Sequence, residues 1–423
     1  MRISVFLLAA ILLPSLLSYP ARGEETKPIK LLGIGAVLPF NTPIVHWCAD
    51  EPLATATIIP TRLGGATYDA EESQKFIRLY FPRKLDRETV DVILFSAGDV
   101  VFLTTSQIAG MMDGVEGGVG AVADCGGTSV IQQSIESWVA SGIGSMFPND
   151  VEGVLSSSYS EFSGTYPGYF LKGVPYTIRV REDVVSNPFS SFVEVGIEDV
   201  RGFAGRNMIP RAGSSILATM AGRYGFLKSG PPFSLSWEFG EGTSVAICEW
   251  FGHPFWSDYG DLEQQSENPY AEELFVNVLL HVTGRPMFED VIVIHDVKEN
   301  FKEYRIRKGN LISVMDFAYR FGANLVSIED EIDRIENEKF RADELYMQGS
   351  HGESSTIITQ AVEDLRAAFE RTIVLKDGAL LSVYISEWLA VTGTLVISGS
   401  LIYQVMIRKR VFREVGTTSA SRE

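Results

Sequence analysis

From Trp388 to Met406 no residue carries a formal charge, and Arg408, Lys409, Arg410 and Arg413 follow at once. Apolar residues from Leu380 to Ile385 lengthen the run on the other side of Glu387. A stretch of this length crosses a bilayer with a hydrocarbon core ~30 Å thick, and basic residues just beyond a span mark its cytoplasmic side. A transmembrane helix is therefore expected over 380–407 and a basic cytoplasmic tail over 408–423, so any globular fold must be built from the residues ahead of them. Within the run, Gly393, Thr394, Ser398, Gly399 and Ser400 are small enough to let a second helix approach closely, an opening for self-association.

The other end carries the matching signal. Arg2, an apolar run from Ile3 to Leu17 and the pattern Ala21-Arg22-Gly23 ahead of two glutamates read as a secretory signal peptide over 1–23. Together the two ends predict a single-pass protein of the cell membrane, with the N-terminal domain outside and the tail in the cytoplasm. The formal charge of −18 excludes nucleic acid and anionic headgroups as partners of the bulk of the chain, because both would be repelled. Three cysteines, Cys48, Cys125 and Cys248, allow one disulfide at most, too few for a bridged scaffold.

Between the two ends the chain reads as α/β. Lys27 to Leu38 and Val90 to Phe95 are apolar runs of the kind that form strands buried on both faces, as in a parallel sheet. Gly117-Gly118-Val119-Gly120-Ala121-Val122-Ala123 continues into Asp124-Cys125-Gly126-Gly127 and then Thr128-Ser129, which is strand, tight turn and helix cap in series. Helical spacing is expected over 70–90, Thr104 to Met112, and the segment carrying Ile131, Ile135 and Trp138. Asn149 to Gly168 reads as a surface excursion. Strands are expected at Tyr176–Val180, Phe192–Val195, Ser215–Met220, Phe233–Glu238 and Ser244–Glu249. The last two form a hairpin through Gly240-Glu241-Gly242, and an amphipathic helix follows at Ala271–Val282.

The α/β domain is thus expected over 27–285. Beyond Pro286 no proline occurs, Val291–Ile294 suggests an edge strand, and apolar stripes at Leu325, Ile328, Ile332, Ile335 and at Ile358, Val362, Leu365, Phe369 predict a helical hairpin or stalk over 286–379. Residues His46, Trp47, Cys48, Asp50 and Glu51 crowd one short segment, but a single His-x-Cys-x-Asp lacks a second ligand pair, so a surface loop without metal is expected there.

Two residues carry the candidate chemistry. A thiolate at Cys125 would gain from the partial positive charge of a helix N-terminus, with the backbone N–H groups of Gly126 and Gly127 facing a developing oxyanion. His253 is the candidate base, because loops after successive parallel strands converge at one sheet edge. Asp124 opposes this by raising the thiol's pKa if its charge lies close. Glu249 and Asp258 are the candidate acids behind His253, and Trp250, Phe251, Phe255, Trp256 and Tyr259 supply an aromatic wall. Asp124, Gly126, Gly127 and Trp256 are accordingly the expected contacts to a small ligand, and the signature of a cofactor is not found. The competing reading makes Cys125 a small apolar packing residue, as Cys248 is expected to be.

The segments VDVILFSAGDV (90–100), GGVGAVADCGG (117–127), PRAGSSILATM (210–220) and PFSLSWEFGEGTSVAICEWFGHPFW (232–256) resemble the class I glutamine amidotransferase-like superfamily, and within it the branch of trehalose-utilisation-like proteins. The resemblance spans about 30–285 and implies a flavodoxin-like parallel sheet with flanking helices. In that class a cysteine sits in a Gly-x-Cys-x-Gly elbow and a His-x-Glu pair comes late. Here the elbow begins with Ala123, and the late pair reads His253-Pro254-Phe255, with phenylalanine in the place of the acid. No segment of this sequence reads as an acceptor domain for ammonia. The resemblance thus implies a non-catalytic module for binding, sensing or assembly, held to the membrane, with a cysteine-dependent amide or ester hydrolase using Cys125 and His253 as the alternative.

Overall fold

A computed structural model describes residues 27–419 apart from 39–41, 64–65, 99, 125–131, 157–175, 203–207, 223–229, 254 and 257–267. The segment read as a signal peptide, most of the excursion after Asn149, Cys125, Gly126, Gly127, the cap at Thr128 or Ser129, Asp258 and Tyr259 lie outside the described residues. The chain divides into two units, Met1–Glu299 with Asp343–Ser355, and Asn300–Ala342 with Thr356–Glu423.

The first unit is a mixed α/β domain. Its strands are β1 (Ile29–Gly35), β2 (Ala54–Pro60), β3 (Arg62–Leu63), β4 (Ala66–Thr67), β5 (Val92–Ser96), β6 (Gly120–Ala123), β7 (Tyr176–Val180), β8 (Ser215–Gly222), β9 (Pro232–Phe239) and β10 (Gly242–Ile247). Eight of them form one sheet in the order β2-β1-β5-β6-β10-β9-β8-β7, and β3 with β4 makes a separate small ribbon. The neighbours from β2 to β10 pair in parallel, and β10, β9, β8 and β7 pair antiparallel. The apolar runs explain the first half: every residue of β5 and β6 is buried, as strands covered on both faces must be. A hairpin connection explains the pairing of β9 with β10, since the short turn between them can only reverse the chain.

Helices α1 (Ile44–Asp50), α2 (Ala70–Tyr80), α3 (Thr105–Glu116), α4 (Gln132–Ser141), α5 (Val151–Ser156) and α6 (Ala271–Thr283) accompany the sheet. Thr104 caps α3 in a full capping box with Gln107, which sets its start one residue beyond that threonine. The core between sheet and helices gathers Phe95, Trp138, Phe147, Met111 and Ile143, with Phe95 and Trp138 edge to face at 5.3 Å between ring centres.

Four local expectations change. The segment from His46 to Glu51 is not a surface loop: it lies in or just after α1, and Trp47, Cys48 and Glu51 are buried. Ser190–Phe192 forms a 3-10 turn rather than part of a strand. Val291–Ile294 opens a long helix, α7 (Val291–Arg320), and not an edge strand. Helix α6 is buried from Ala271 through Leu280 and again at Val282, Glu272 and Glu273 included, so its amphipathic pattern does not correspond to a wet face. The reason is that the chain after it folds back: the Phe288 N–H donates to Asn277 Oδ1 at 2.8 Å, and His295 meets Glu273 at 3.2 Å. The first unit therefore runs past 285, to Glu299, and also takes in Asp343–Ser355.

The second unit is helical. It contains the rest of α7, most of α8 (Val326–Met347) and most of α9 (His351–Ser419). Ion pairs Arg334–Asp364 at 2.6 Å and Arg371–Glu331 show α8 and α9 running antiparallel, and Ile328, Ile332, Ile335, Ile358, Val362 and Leu365 are buried as their stripes predict. Phe369 is half-buried. Farther along α9 the apolar residues lose all cover. Trp388, Leu389, Leu395, Val396, Ile397, Leu401 and Ile402 are exposed, and the helix is long and apolar enough to cross a membrane. Two threonine hydroxyls there are satisfied within the helix: Thr392 Oγ1 donates to the Trp388 carbonyl at 2.7 Å and Thr394 Oγ1 to that of Ala390 at 2.8 Å.

Candidate functional site

Parallel pairing brings the carboxyl ends of β1, β5, β6 and β10 to one edge, with Gly35 opposite Ser96, Phe95 opposite Ala123, and Ala123 opposite Ala246. Asp124, the first residue after β6, is buried and fastens three of these ends. It accepts from Ser96 Oγ at 2.7 Å, from the Ala97 N–H at 2.6 Å and from the Phe251 N–H at 3.2 Å. Both carboxylate oxygens thus face the protein's own donors, and Asp124 acts as a clamp between strand ends. Ala97 holds a left-handed backbone at φ 44°, rare for a residue with a Cβ, and in that conformation its N–H reaches the carboxylate.

The chain after β10 crosses the same edge. Trp250 Nε1 donates to Ser96 Oγ at 3.2 Å, and the indole stands edge-on to the His253 ring at 5.3 Å. Successive bonds from the His253 N–H to the Trp250 carbonyl and from the Trp256 N–H to the His253 carbonyl, each 2.9 Å, wind this loop tightly. Phe251, Phe255 and Trp256 are buried, Phe255 against Phe233 at 4.8 Å and Trp256 against Phe251 at 4.9 Å. Phe255, where the resemblance expects an acid, is thus a core residue. Trp256, expected as a ligand contact, packs in the same internal aromatic cluster. Of this loop His253 keeps some access, with 26% of its side chain exposed.

An acid does lie beside His253. Glu249 Oε1 is 3.6 Å from His253 Nδ1, within ion-pair reach but longer than a hydrogen bond, and the Glu249 side chain is fully buried. Its other oxygen accepts the Tyr176 hydroxyl. Burial first, and then Cys248 and Glu249, push the Tyr176 phenol well above its ordinary pKa, so it stays a proton donor. The Cys248 sulfur lies 3.8 Å from that hydroxyl and donates to Met220 Sδ at 3.8 Å, and the residue is buried as a packing cysteine. Gly202 covers this group, for a Cβ there would stand 2.4 Å from Tyr176 Cζ and 2.5 Å from Glu249 Oε2.

Of the residues singled out in the sequence, Asp124, Glu249, Trp250 and His253 therefore meet at one edge, while Cys125, Gly126 and Gly127 lie outside the described residues. Ser96, Ala97 and Tyr176 were not foreseen. The Ser96-Ala97-Gly98 turn at a strand end was a usable signal for the first two. Nothing local marks Tyr176. Among the described residues no group of His, Cys, Asp and Glu is arranged to hold a metal ion. Cys48 is instead a buried thiol pushed up to about 12, by burial first and then by Glu51 and Glu272.

No family model matches the chain, and no curated protein matches it. Among solved structures it is similar to the cytoplasmic protein STM3548 from Salmonella typhimurium, at 13% identity and a TM-score of 0.42, over 60% of this chain and 99% of that one. It is also similar to the cytoplasmic protein STM1381 from Salmonella typhimurium LT2, at 12% identity and a TM-score of 0.40, over 60% of this chain and 99% of that one.

Proposed function

We propose that this chain is a single-pass membrane protein that displays an amidotransferase-like α/β domain outside the cell, for ligand binding, sensing or assembly, with its basic tail in the cytoplasm. The observation that carries the proposal is the uncovered apolar length of α9, which water would penalise on every face and a bilayer would not. Arg408, Lys409 and Arg410 directly beyond it support this orientation. The parallel strands taken alone run 2-1-3-4-5 when numbered in chain order, the flavodoxin-like arrangement, in which ligands bind outside the carboxyl ends of the strands. Protease added to intact cells is expected to degrade the α/β domain and leave a protected C-terminal fragment. A domain that resists digestion until the cells are lysed would overturn the orientation, and release of the chain by alkaline carbonate would overturn the span.

A second reading, the cysteine hydrolase, is favoured by one contact. The Phe251 N–H on Asp124 ties the segment after β10, which carries His253, to the residue that immediately precedes Cys125 in sequence. With Cys48 and Cys248 both buried, iodoacetamide at neutral pH is expected to label Cys125 in the native protein, and Cys125→Ser to abolish that label. Native protein that takes no label at Cys125 sinks the hydrolase reading and leaves the binding module.

A further inference from the structure

Polar cross-links fix the relative heights of the three helices in the second unit. Asn300 Nδ2 on α7 donates to Thr359 Oγ1 on α9 at 3.2 Å, and Lys308 on α7 pairs with Glu336 on α8. In turn α8 meets α9 through Arg334–Asp364 and Arg371–Glu331. At the common rise of ~1.5 Å per residue, Arg320 at the end of α7 comes level with about residue 379 of α9, and Val326 at the start of α8 with about residue 374. Cover ends at the same height. Thr372 of α9 is wholly buried, whereas Leu381 is 59% exposed and the uncharged run from Trp388 to Met406 follows. The α7–α8 turn therefore stands where α9 leaves the bundle, and it is flanked by apolar side chains where a turn in water would be polar. Phe317, Tyr319 and Val326 are exposed there, as is Val374 at the same level of α9.

We propose that the α7–α8 turn rests in the headgroup layer of the outer leaflet, with Phe317, Tyr319 and Val326 among the lipid headgroups beside the emerging α9. The inference rests on the single-pass reading. The lengths agree with it: from Leu380 to Ile407 the helix measures ~42 Å at ~1.5 Å per residue, and a bilayer with both headgroup layers is ~40–45 Å thick. With Arg408 just beyond the inner face, Leu380 and the turn level with it fall at the outer one. Aromatic rings favour that boundary, and a tyrosine can keep its hydroxyl in water while its ring lies among lipids. Arg320, exposed and paired with Asp316 at 2.6 Å, stands at the same level, where lipid phosphates lie. The turn also meets its own backbone needs: the Gly322 N–H donates to the Tyr319 carbonyl at 2.9 Å and the Ala323 N–H to that of Ala318 at 3.1 Å, which lowers the cost of leaving water. The bilayer is the favoured occupant because α9 brings it to this height in the same chain, with no second association to form. The helical unit is thereby held to the membrane surface at two places.

The test uses the full chain in phosphatidylcholine vesicles, with a thiol-linked fluorophore on Tyr319→Cys and, separately, on Phe317→Cys. A Cys125→Ser background confines the label to the introduced thiol, since Cys48 and Cys248 are buried. Phe340→Cys, at an exposed position level with about residue 360 of α9, is the aqueous control, and Leu395→Cys in the uncovered run is the membrane control. Lipids with a nitroxide on the headgroup are expected to quench labels at Phe317 and Tyr319 several-fold more strongly than one at Phe340, and lipids with a nitroxide deep in the chain to quench the label at Leu395. Equal headgroup quenching at Tyr319 and Phe340, with the Leu395 label quenched from the chain region, overturns the inference and leaves the span. A Leu395 label that the deep nitroxide does not reach overturns the single-pass reading and the inference with it. Labels at Phe317 and Tyr319 shielded from both lipid nitroxides and from aqueous iodide are covered by protein, such as a second copy of this chain, and that result overturns the inference as well.

Discussion

Replacing Lys298 by methionine is expected to cost about 3–5 kcal/mol of stability, the range for removing one partner of a buried ion pair. Lys298 is almost wholly buried on α7, with Nζ 2.6 Å from Glu51 Oε2 and 3.5 Å from Glu272 Oε1. Burial alone would lower its pKa, but Glu51, Glu272 and Glu273 more than offset this and hold the ammonium charged. Around it the Tyr346 hydroxyl donates to Glu51 Oε2 at 3.1 Å and the Leu53 N–H to Glu51 Oε1 at 2.9 Å, so a single carboxylate links the end of α1, the first turns of α7 and the end of α8. Without the ammonium, three carboxylates share a dry space with too little counter-charge. Urea unfolding of the full chain in detergent measures the loss, and a cost below about 1 kcal/mol would show that water reaches the cluster.

The double change Lys298→Met with Glu51→Gln should recover part of the loss, because it removes a stranded charge. The same cluster sets an acid limit. Burial would raise the Glu273 carboxyl, yet His295 and Lys298 outweigh burial and hold it below its ordinary value of 4.5. A carboxyl whose folded pKa is depressed contributes stability that is fully present above its unfolded value and is lost as pH falls through the folded one. That contribution should therefore fade only below about pH 4.5.

The second large effect is expected at Gly35, where alanine should cost at least about 3 kcal/mol and dismantle the strand-end edge. Gly35 ends β1 with φ at +116°, in a region that residues with a Cβ rarely enter. A Cβ there would stand 2.2 Å from the Ser96 carbonyl oxygen and 2.8 Å from Gly98 Cα, and neither backbone atom can rotate away. That carbonyl also accepts the Ala36 N–H at 2.7 Å, and the Ser96 hydroxyl serves both Asp124 and Trp250. Pushing Ser96 aside would thus loosen the clamp and the loop that carries His253. Loss of soluble-domain folding, or a midpoint lowered by many degrees in thermal scans, checks this. Unchanged unfolding in Gly35→Ala would contradict the close approach.

How much of this was legible in the chain differs by element. The runs VILFS and GAVA were readable as buried strands, since a strand covered on both faces must be apolar at consecutive positions. The hairpin at Gly240-Glu241 and the apolar stripes of α8 and α9 were readable for the same kind of reason: each rests on contacts a few residues apart. The segment from His46 to Glu51 was misread because its polar residues looked like a surface. In the fold Glu51 is matched by Lys298 and Tyr346, residues hundreds of positions away that no local pattern connects to it. The charge signature of α6 failed likewise, because Glu272 and Glu273 are answered by Lys298 and His295 rather than by water.

The site divides along the same line. His253 and Asp124 could be marked because residues that follow parallel strands must emerge at one edge, and that rule needs only strand type and order. The acid behind His253 could only be narrowed to two candidates, Glu249 and Asp258. Position 255 carries phenylalanine, and whether Glu249 faces the imidazole depends on the turn from Trp250 to Trp256 and on a tyrosine 73 residues earlier.

By itself, then, the sequence determined the buried strands, the hairpin between β9 and β10 and the apolar length of the terminal helix, because each follows from the periodicity or continuity of neighbouring side chains. Only the tertiary structure decided the antiparallel wing, the buried lysine cluster and the Tyr176–Glu249–His253 alignment. These depend on which distant polar groups meet where water is excluded, and the energy of such a meeting is a property of the packed interior, absent from any local stretch of chain.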